Sequence, residues 1–266
     1  MIISAKVTST LGEILMTYSG RNLFDLFDIG SSLEDAINHK PFTLKQLSDL
    51  GMQLTSQLEI IHQLGFTHGD IKFQNICYDR HTGTYTLIDF ALVCKIINSK
   101  GEHRPQRRVE SFFGNTIFAS EAMVNLMSTS RKHDLESLMY LLCFFYKGTL
   151  PVIDLLHTVM KYGKMDDFLK IYCRFRIENK DHCHQKVKSY LPGSMPTAFS
   201  YIQGMKHEEK PNYQLIKLWL AFNEKDEQNA FTTNLQTQNS KVPKLTKYFV
   251  MDGSSHQLIR RNEIKG

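Results

Sequence analysis

The chain of 266 residues is long enough to bury a sizeable core, and its content of 42% apolar and 22% charged residues is that of an ordinary soluble globular protein. Its formal net charge of +5 favours anionic partners, but the basic residues are scattered rather than arranged in a stripe, so we expect no nucleic-acid partner. The five cysteines form no CxxC pair, which argues against a disulfide framework and against a zinc knuckle.

The apolar stretches predict an intracellular protein. No basic segment followed by an apolar one opens the sequence, so secretion is not expected. The longest apolar stretch, LMYLLCFFY at 138–146, is far shorter than the roughly twenty residues that a membrane-spanning helix needs. We therefore expect no membrane association and a location in the cytoplasm, the nucleus or both.

The first forty residues predict a hairpin followed by a short helix. The segments IISAKV and EILMTY alternate at period two around a turn that contains Gly12, which indicates two antiparallel strands within residues 1–18. Residues 21–40 are typical of a short amphipathic helix and a polar loop.

A long helix is predicted from Thr43 to near Gly65. The segment TLKQ is a capping box, in which Thr43 and Gln46 each accept a hydrogen bond from the other's backbone. Apolar residues then recur at spacings of three and four, as one face of a helix requires: Leu47, Leu50, Leu54, Leu58 and Ile61.

The remaining elements follow in chain order. We expect a loop at 67–75, the strands NICYD and TYTLIDF joined by the turn RHTG, and a long loop at about 98–120. The segment DLESLMYLLCFFYKG predicts a central helix buried on nearly all sides. Three more helices are predicted at about 153–173, 197–206 and 212–222. The polar residues 223–266 indicate a mostly disordered tail.

One set of polar side chains fits phosphoryl transfer. That reaction needs an oriented hydroxyl, metal ions across the phosphates, and positive charge where negative charge accumulates. Asp70 can orient and deprotonate a hydroxyl, and Lys72 can reach the transferred phosphoryl group. Asn75 supplies a neutral oxygen and Asp89 a charged one for a divalent ion.

The same residues carry a family resemblance. HGDIKFQN resembles the protein-kinase catalytic loop HRDLKxxN, and IDFA resembles the DFG motif. The resemblance implies ATP and Mg²⁺ as cofactors. It makes Asp70 the catalytic base and Lys72 the phosphate contact. Asn75 and Asp89 would be the ligands of the magnesium ion and would bind the nucleotide through it.

Longer segments are similar to casein kinase I: GNTIFASEAM, SRKHDLESLMYLLCFFYKGTLP and LPGSMPTAFSYIQGMKHEEKPNYQLIKLW. The form HGDIK, with Gly69 in place of Arg, also occurs in the vaccinia-related kinases. The resemblance covers roughly residues 10–222. It implies a mainly α, protein-kinase-like fold with a large helical C-lobe at 19–222, two remnant N-lobe strands at 1–18, and the tail at 223–266.

The resemblance also implies two supporting roles. Asp134 would begin the central helix and accept hydrogen bonds from the catalytic-loop backbone, although it could also serve as the N-cap of that helix. The ring of His68 is expected to pack beneath the loop rather than take part in chemistry.

The sequence departs from the family at several positions. No GxGxxG occurs, and Lys6 of SAKV is a poor match for the ATP-pairing lysine, because no room remains before the hinge-like LMTYSGRNL for a helix that carries its glutamate partner. Ala91 replaces the Gly of DFG, which would stiffen the loop by removing access to positive φ. Ile117 replaces an Arg that could hold a substrate phosphate, and Val152 replaces a Trp.

Two functions therefore stay open. The first is a casein kinase I-like serine/threonine kinase whose small lobe is lost or supplied in trans, acting on acidic or pre-phosphorylated protein substrates. The basic segment HRPQRR at 103–108 would suit such a substrate or be a solvated charge run. The second is a pseudokinase that acts as a protein-interaction scaffold. In either case a protein partner could cover the exposed top of the C-lobe.

Overall fold

The computed structural model describes residues 4–7, 12–15, 21–23, 42–151, 153 and 168–221, with the backbone alone in the first two ranges and at 168–169. Of the helix and loop predicted at 21–40 only residues 21–23 are described, and Arg21–Asn22 form a strand there because they pair with Cys77 and Tyr78. Most of the helix predicted at 153–173, the tail at 223–266, and Val152 lie outside the described residues.

Short strands make up three small sheets. The strands are β1 Ser4–Val7, β2 Gly12–Leu15, β3 Arg21–Asn22, β4 Phe66–Thr67, β5 Ile76–Asp79, β6 Thr84–Leu87 and β7 Cys94–Lys95. The pairs β1–β2 and β4–β7 are antiparallel, and so is the sheet β3–β5–β6. The predicted N-terminal hairpin is confirmed as a pairing of Ser4 with Leu15 through Val7 with Gly12.

Helices make up most of the regular secondary structure in the described ranges. They are α1 Leu44–Gln63, α2 Glu121–Val124, α3 Arg131–Lys147, α4 Phe168–Glu178, α5 Lys180–Tyr190, α6 Met195–Gly204 and α7 Tyr213–Leu220, with a single 3-10 turn at Phe73–Asn75. The helices α3 and α7 both pack against α1. None of the helices in the described ranges has the length and apolarity to cross a membrane.

Helix α1 begins and packs as its sequence predicts. The Thr43 hydroxyl accepts from the Gln46 amide at 3.2 Å, and the Gln46 side chain accepts from the Thr43 amide at 3.0 Å. The leucines of the predicted stripe are buried. At the edge of this stripe, Gln57 accepts from the Leu87 amide and donates to the Tyr85 carbonyl, so α1 covers the otherwise open edge of β6.

Helix α3 runs through the centre of the fold, as predicted. Ser130 is its N-cap and shares a capping box with His133, and Gly148 ends it with φ of 77°. Asp134 lies in the first turn of the helix, so its interpretation as the N-cap is wrong. The reason is that Ser130, four residues earlier, already satisfies the amide of His133.

The sequence did not predict helix α5. Its sequence, KDHCHQKVKSY, is mostly polar, and it buries only Cys183 and Val187 on the core side. Two anchors four residues apart give too weak a stripe to indicate a helix by periodicity alone.

A buried polar cluster joins α2, α3 and α4. Glu136 accepts from the Glu121 amide at 3.0 Å and from the Tyr140 hydroxyl at 2.8 Å. The Arg176 guanidinium lies 4.8 Å from the centre of the Tyr140 ring and donates to the Ala119 carbonyl. This cluster anchors the segment that enters α2 to the core of the fold.

The structure describes all five cysteines and the neighbouring residues His182, Cys183 and His184 of α5. All five cysteines lie in the described ranges, and none forms a disulfide. His182 is exposed whereas Cys183 is buried, so neighbouring side chains point to different sides of α5. Among the described residues no group of three or more His, Cys, Asp and Glu side chains could hold a metal ion.

The buried ring of His133 makes stability sensitive to acid. Burial, together with the neighbouring charge of Lys132, lowers the pKa of His133 to about 3, whereas an unfolded histidine titrates near about 6.5. Between these values the unfolded chain binds a proton that the folded chain does not bind. The free energy of unfolding should therefore fall on acidification, by at most about 1.4 kcal/mol per pH unit from this group.

We predict that His133→Gln flattens this dependence between pH 6 and about pH 4. Glutamine keeps an acceptor for the Ser130 amide but does not titrate. Urea unfolding at several pH values measures the slope, with His182→Gln, at an exposed position of α5, as the matched control. Equal slopes in wild type and His133→Gln would contradict the assignment.

Candidate functional site

The buried carboxylate of Asp134 holds the backbone of the loop at 68–72. Its Oδ2 accepts from the His68 amide at 2.7 Å, and its Oδ1 accepts from the Gly69 amide at 2.9 Å. Asp134 is only 2% exposed, and these bonds satisfy backbone donors that would otherwise be buried without a partner. The predicted contact between Asp134 and the backbone of this loop is confirmed.

His62 gives the same carboxylate a third hydrogen bond. Its Nε2 lies 2.9 Å from Asp134 Oδ2, and its Nδ1 lies 2.7 Å from the hydroxyl of Tyr213 at the start of α7. A chain of contacts therefore runs from α7 through α1 to the loop. The sequence reasoning missed both residues. Their one signal was His62 itself, a polar side chain four residues after Leu58 on the buried face of α1.

These hydrogen bonds decide the charge of Asp134. Burial by itself would raise the pKa of the carboxyl group, but the bonds from His62 and from the loop amides outweigh burial and hold the pKa below its ordinary value. The carboxylate is therefore charged near neutral pH.

The ring of His68 packs beneath the loop, as predicted. The side chain is fully buried, its Nε2 lies 3.1 Å from the Ile88 carbonyl, and its Nδ1 accepts from the Asp70 amide at 3.3 Å. Because a carbonyl can only accept, Nε2 carries the proton. Burial lowers the pKa of His68, so the ring is neutral. Its two hydrogen bonds connect Asp70 in the loop to Ile88, the residue before Asp89.

Gly69 explains the departure from HRD at this position. It has φ of +80°, and a Cβ atom here would lie 2.7 Å from the carbonyl oxygen of Leu92. No other residue fits that backbone and that close approach.

Three of the predicted site residues meet at one carboxylate. Asp70 Oδ2 lies 2.7 Å from Lys72 Nζ and accepts from Asn75 Nδ2 at 3.0 Å. Asn75 Nδ2 also donates to the Asp70 carbonyl at 3.0 Å. The other oxygen, Asp70 Oδ1, is buried and has no hydrogen-bond partner among the described residues.

Asp89 directly follows the residue that pairs with Asn75. The Ile88 amide donates to the Asn75 carbonyl at 2.8 Å, which extends the β5–β6 pairing by one residue. Asp89 is exposed and has φ of 65°, a conformation that is uncommon outside glycine and clusters at functional sites. The positive φ thus falls at Asp89, not at Ala91, whose amide donates to Asp89 Oδ1 at 3.2 Å.

The donor set at Asn75 and Asp89 fits a magnesium ion. The Asn75 side-chain amide donates both of these hydrogen bonds from its nitrogen, which leaves its oxygen for another contact. An amide oxygen and an exposed carboxylate are both hard-oxygen donors, and Mg²⁺ is usually held by one or two such groups together with phosphate oxygens. The chemical roles of Asp70, Lys72, Asn75 and Asp89 stay predictions.

Ile117 takes a packing position. It is half-buried against the hydrophobic core, next to the buried Phe118 and Ala119. The position therefore adds apolar contact to the segment before α2, where the family resemblance would place a cation.

Comparison with known proteins identifies the family of the chain. The protein kinase domain model matches residues 12–236 of the chain. A probable casein kinase I homolog of Encephalitozoon cuniculi is 29% identical over 209 residues, which cover 75% of this chain and 61% of that relative. The chain thus spans about three fifths of the length of this curated relative.

We predict that Asp134→Asn lowers the free energy of unfolding by about 3 kcal/mol near pH 7, because it removes the charge that pairs with His62 and places amide hydrogens against the loop N–H groups. Urea unfolding measures this loss, with Asp181→Asn, in the exposed first turn of α5, as the control. Since the pKa of Asp134 is lowered on folding, its stabilisation is lost as pH falls below about 4, and the difference should shrink there. A difference that does not change with pH would contradict a charged Asp134.

Proposed function

Because this chain belongs to the protein kinase family and is similar to casein kinase I, we propose that it transfers the γ-phosphate of ATP to a serine or threonine hydroxyl of a protein substrate. Protein kinases in general use ATP with Mg²⁺. The observation that carries the proposal is the meeting of Lys72 and Asn75 at one oxygen of Asp70.

Asp70 is the proposed general base. Its Oδ2 is held by Lys72 and Asn75, which fixes the orientation of the carboxylate. Its Oδ1 has no hydrogen-bond partner in the part of the chain that the structure describes, so a substrate hydroxyl could donate there and pass its proton to the carboxylate as the oxygen attacks the phosphoryl group.

Lys72 and the pair Asn75–Asp89 are proposed to stabilise charge. The Lys72 ammonium is partly exposed beside Asp70 and can turn toward the transferred phosphoryl group. Asn75 and Asp89 would hold Mg²⁺, which neutralises negative charge on the nucleotide phosphates when it is bound. The Asp134 contacts hold the loop backbone, so these side chains stay oriented without reorganisation.

The alternative is a pseudokinase that serves as a protein-interaction scaffold. One observation favours it: Asp70 is only 5% exposed, and a Cβ atom on Gly114 would lie within 3.8 Å of Oδ1, so this segment covers the oxygen that a substrate must reach. The sequence departures at Ala91 and at the missing glycine-rich loop favour it as well. In this function a protein partner would cover the top of the C-lobe.

We predict that the purified chain incorporates labelled phosphate from Mg²⁺-ATP into an acidic protein substrate, and that Asp70→Asn lowers the rate by at least about 100-fold. The asparagine keeps the shape of the side chain but removes the base. Asp181→Asn, on the surface of α5, should label at the wild-type rate. Unchanged labelling by Asp70→Asn would end the assignment of Asp70 as the base, and no labelling by wild type would favour the scaffold.

Nucleotide binding is tested separately from transfer. We predict that Mg²⁺-ATP raises the Tm of wild type, since a ligand at about 100 times its Kd stabilises a protein by about 2.7 kcal/mol. Asp89→Asn should lose the magnesium-dependent part of that shift, because it removes the charged ligand. A shift that is the same with and without Mg²⁺, or unaffected by Asp89→Asn, would contradict the proposed metal site.

A further inference from the structure

A cavity of about 180 Å³ lies next to the catalytic loop and is separate from the proposed catalytic group. Gly69 forms part of its wall, but Asp70, Lys72, Asn75 and Asp89 do not line it. Most of its wall is apolar: Leu92, Ile96, Val109, Phe113, Met123 and Met127. The cavity therefore has no part in the phosphoryl-transfer geometry described above.

The charged groups of the cavity all have one sign. Lys95, Arg104 and Arg107 line it and are exposed, and none of the described residues that line it is acidic. An apolar space with cations around it is complementary to an apolar group that has carboxylates beside it. Arg104 and Arg107 belong to the segment HRPQRR, which could have been a charge run exposed to solvent only. Their position at the border of a concave surface favours a binding role instead.

The size of the space sets the size of the occupant. A cavity of about 150 Å³ accepts a benzene molecule, so about 180 Å³ can hold one large apolar side chain. We propose that the cavity binds a large apolar side chain of the protein substrate, and that carboxylates on neighbouring substrate residues face Lys95, Arg104 and Arg107. This inference rests on the proposed function, because it gives the substrate of that same site an apolar anchor.

Gly69 connects the cavity to the chemistry. Its amide is held by Asp134, and its carbonyl oxygen lies under Gly114, where an added Cβ would approach within 2.9 Å. The same residue precedes Asp70 and forms part of the cavity wall. A substrate side chain in the cavity would therefore be held beside the loop that presents the proposed base.

Peptide binding to the whole chain without ATP tests the proposal. A fluorescent peptide with one serine and one phenylalanine among aspartates should bind wild type roughly 10-fold or more tightly than the same peptide with alanine for phenylalanine. Fluorescence anisotropy measures both affinities. Equal affinities of the two peptides for wild type would overturn the proposal.

Two variants separate the apolar cavity from its cations. Val109→Phe should fill the cavity and remove the preference for phenylalanine. The double change Arg104→Glu and Arg107→Glu should weaken both peptides. The matched control is Arg80→Glu, an exposed position on the β5–β6 turn, which should leave both affinities unchanged. If Arg80→Glu weakens binding as much as the double change, the cations at the cavity have no special role and the proposal fails.

The outcomes distinguish this inference from the proposed function. If the phenylalanine preference is present but wild type transfers no phosphate, the cavity binds a protein ligand and only the catalytic proposal fails. If phosphate is transferred without any phenylalanine preference, only the cavity proposal fails. Should Val109→Phe not fold, as circular dichroism would reveal, the two peptides on wild type decide the question alone.

Discussion

The structure around the candidate site depends on one buried carboxylate. Asp134 lies in the first turn of the central helix and accepts hydrogen bonds from two successive loop amides and from His62. A buried charge is costly unless it is fully hydrogen-bonded, and here each of its contacts also satisfies a donor that would otherwise be orphaned. The same group therefore stabilises the core and fixes the backbone from which Asp70 and Lys72 project.

The glycines of the site make this close packing possible. Gly69 lies against the Leu92 carbonyl, and Gly114 lies against the Gly69 carbonyl, at distances that leave no room for a side chain. Replacing the arginine of the family pattern by Gly69 thus has a steric reason in this fold. Through these two contacts, Gly69 of the loop lies directly against the segment before α2 and against Leu92 of the cavity wall.

In the proposed function, the site and the cavity would divide two tasks between neighbouring surfaces. Asp70, Lys72 and Asn75 form a polar group, whereas the cavity is apolar with cations around it. A protein substrate would be selected at the second surface and phosphorylated at the first. That arrangement would let binding energy from a remote side chain position the reacting hydroxyl.

Local signals in the sequence determined helix α1, strands β5 and β6, the central helix and the set of four polar residues, because capping, periodicity and short spacings act within a few residues of each other. Helix α5 was not predicted, because its two buried residues are too few to show a helical period of apolar residues. Only the tertiary structure decided that Tyr213 supports His62, that Gly69 meets Leu92, and that a cation-lined cavity lies beside the loop. These features depend on how α1, α3 and α7 pack, which brings together residues far apart in the chain, and no local pattern records that packing.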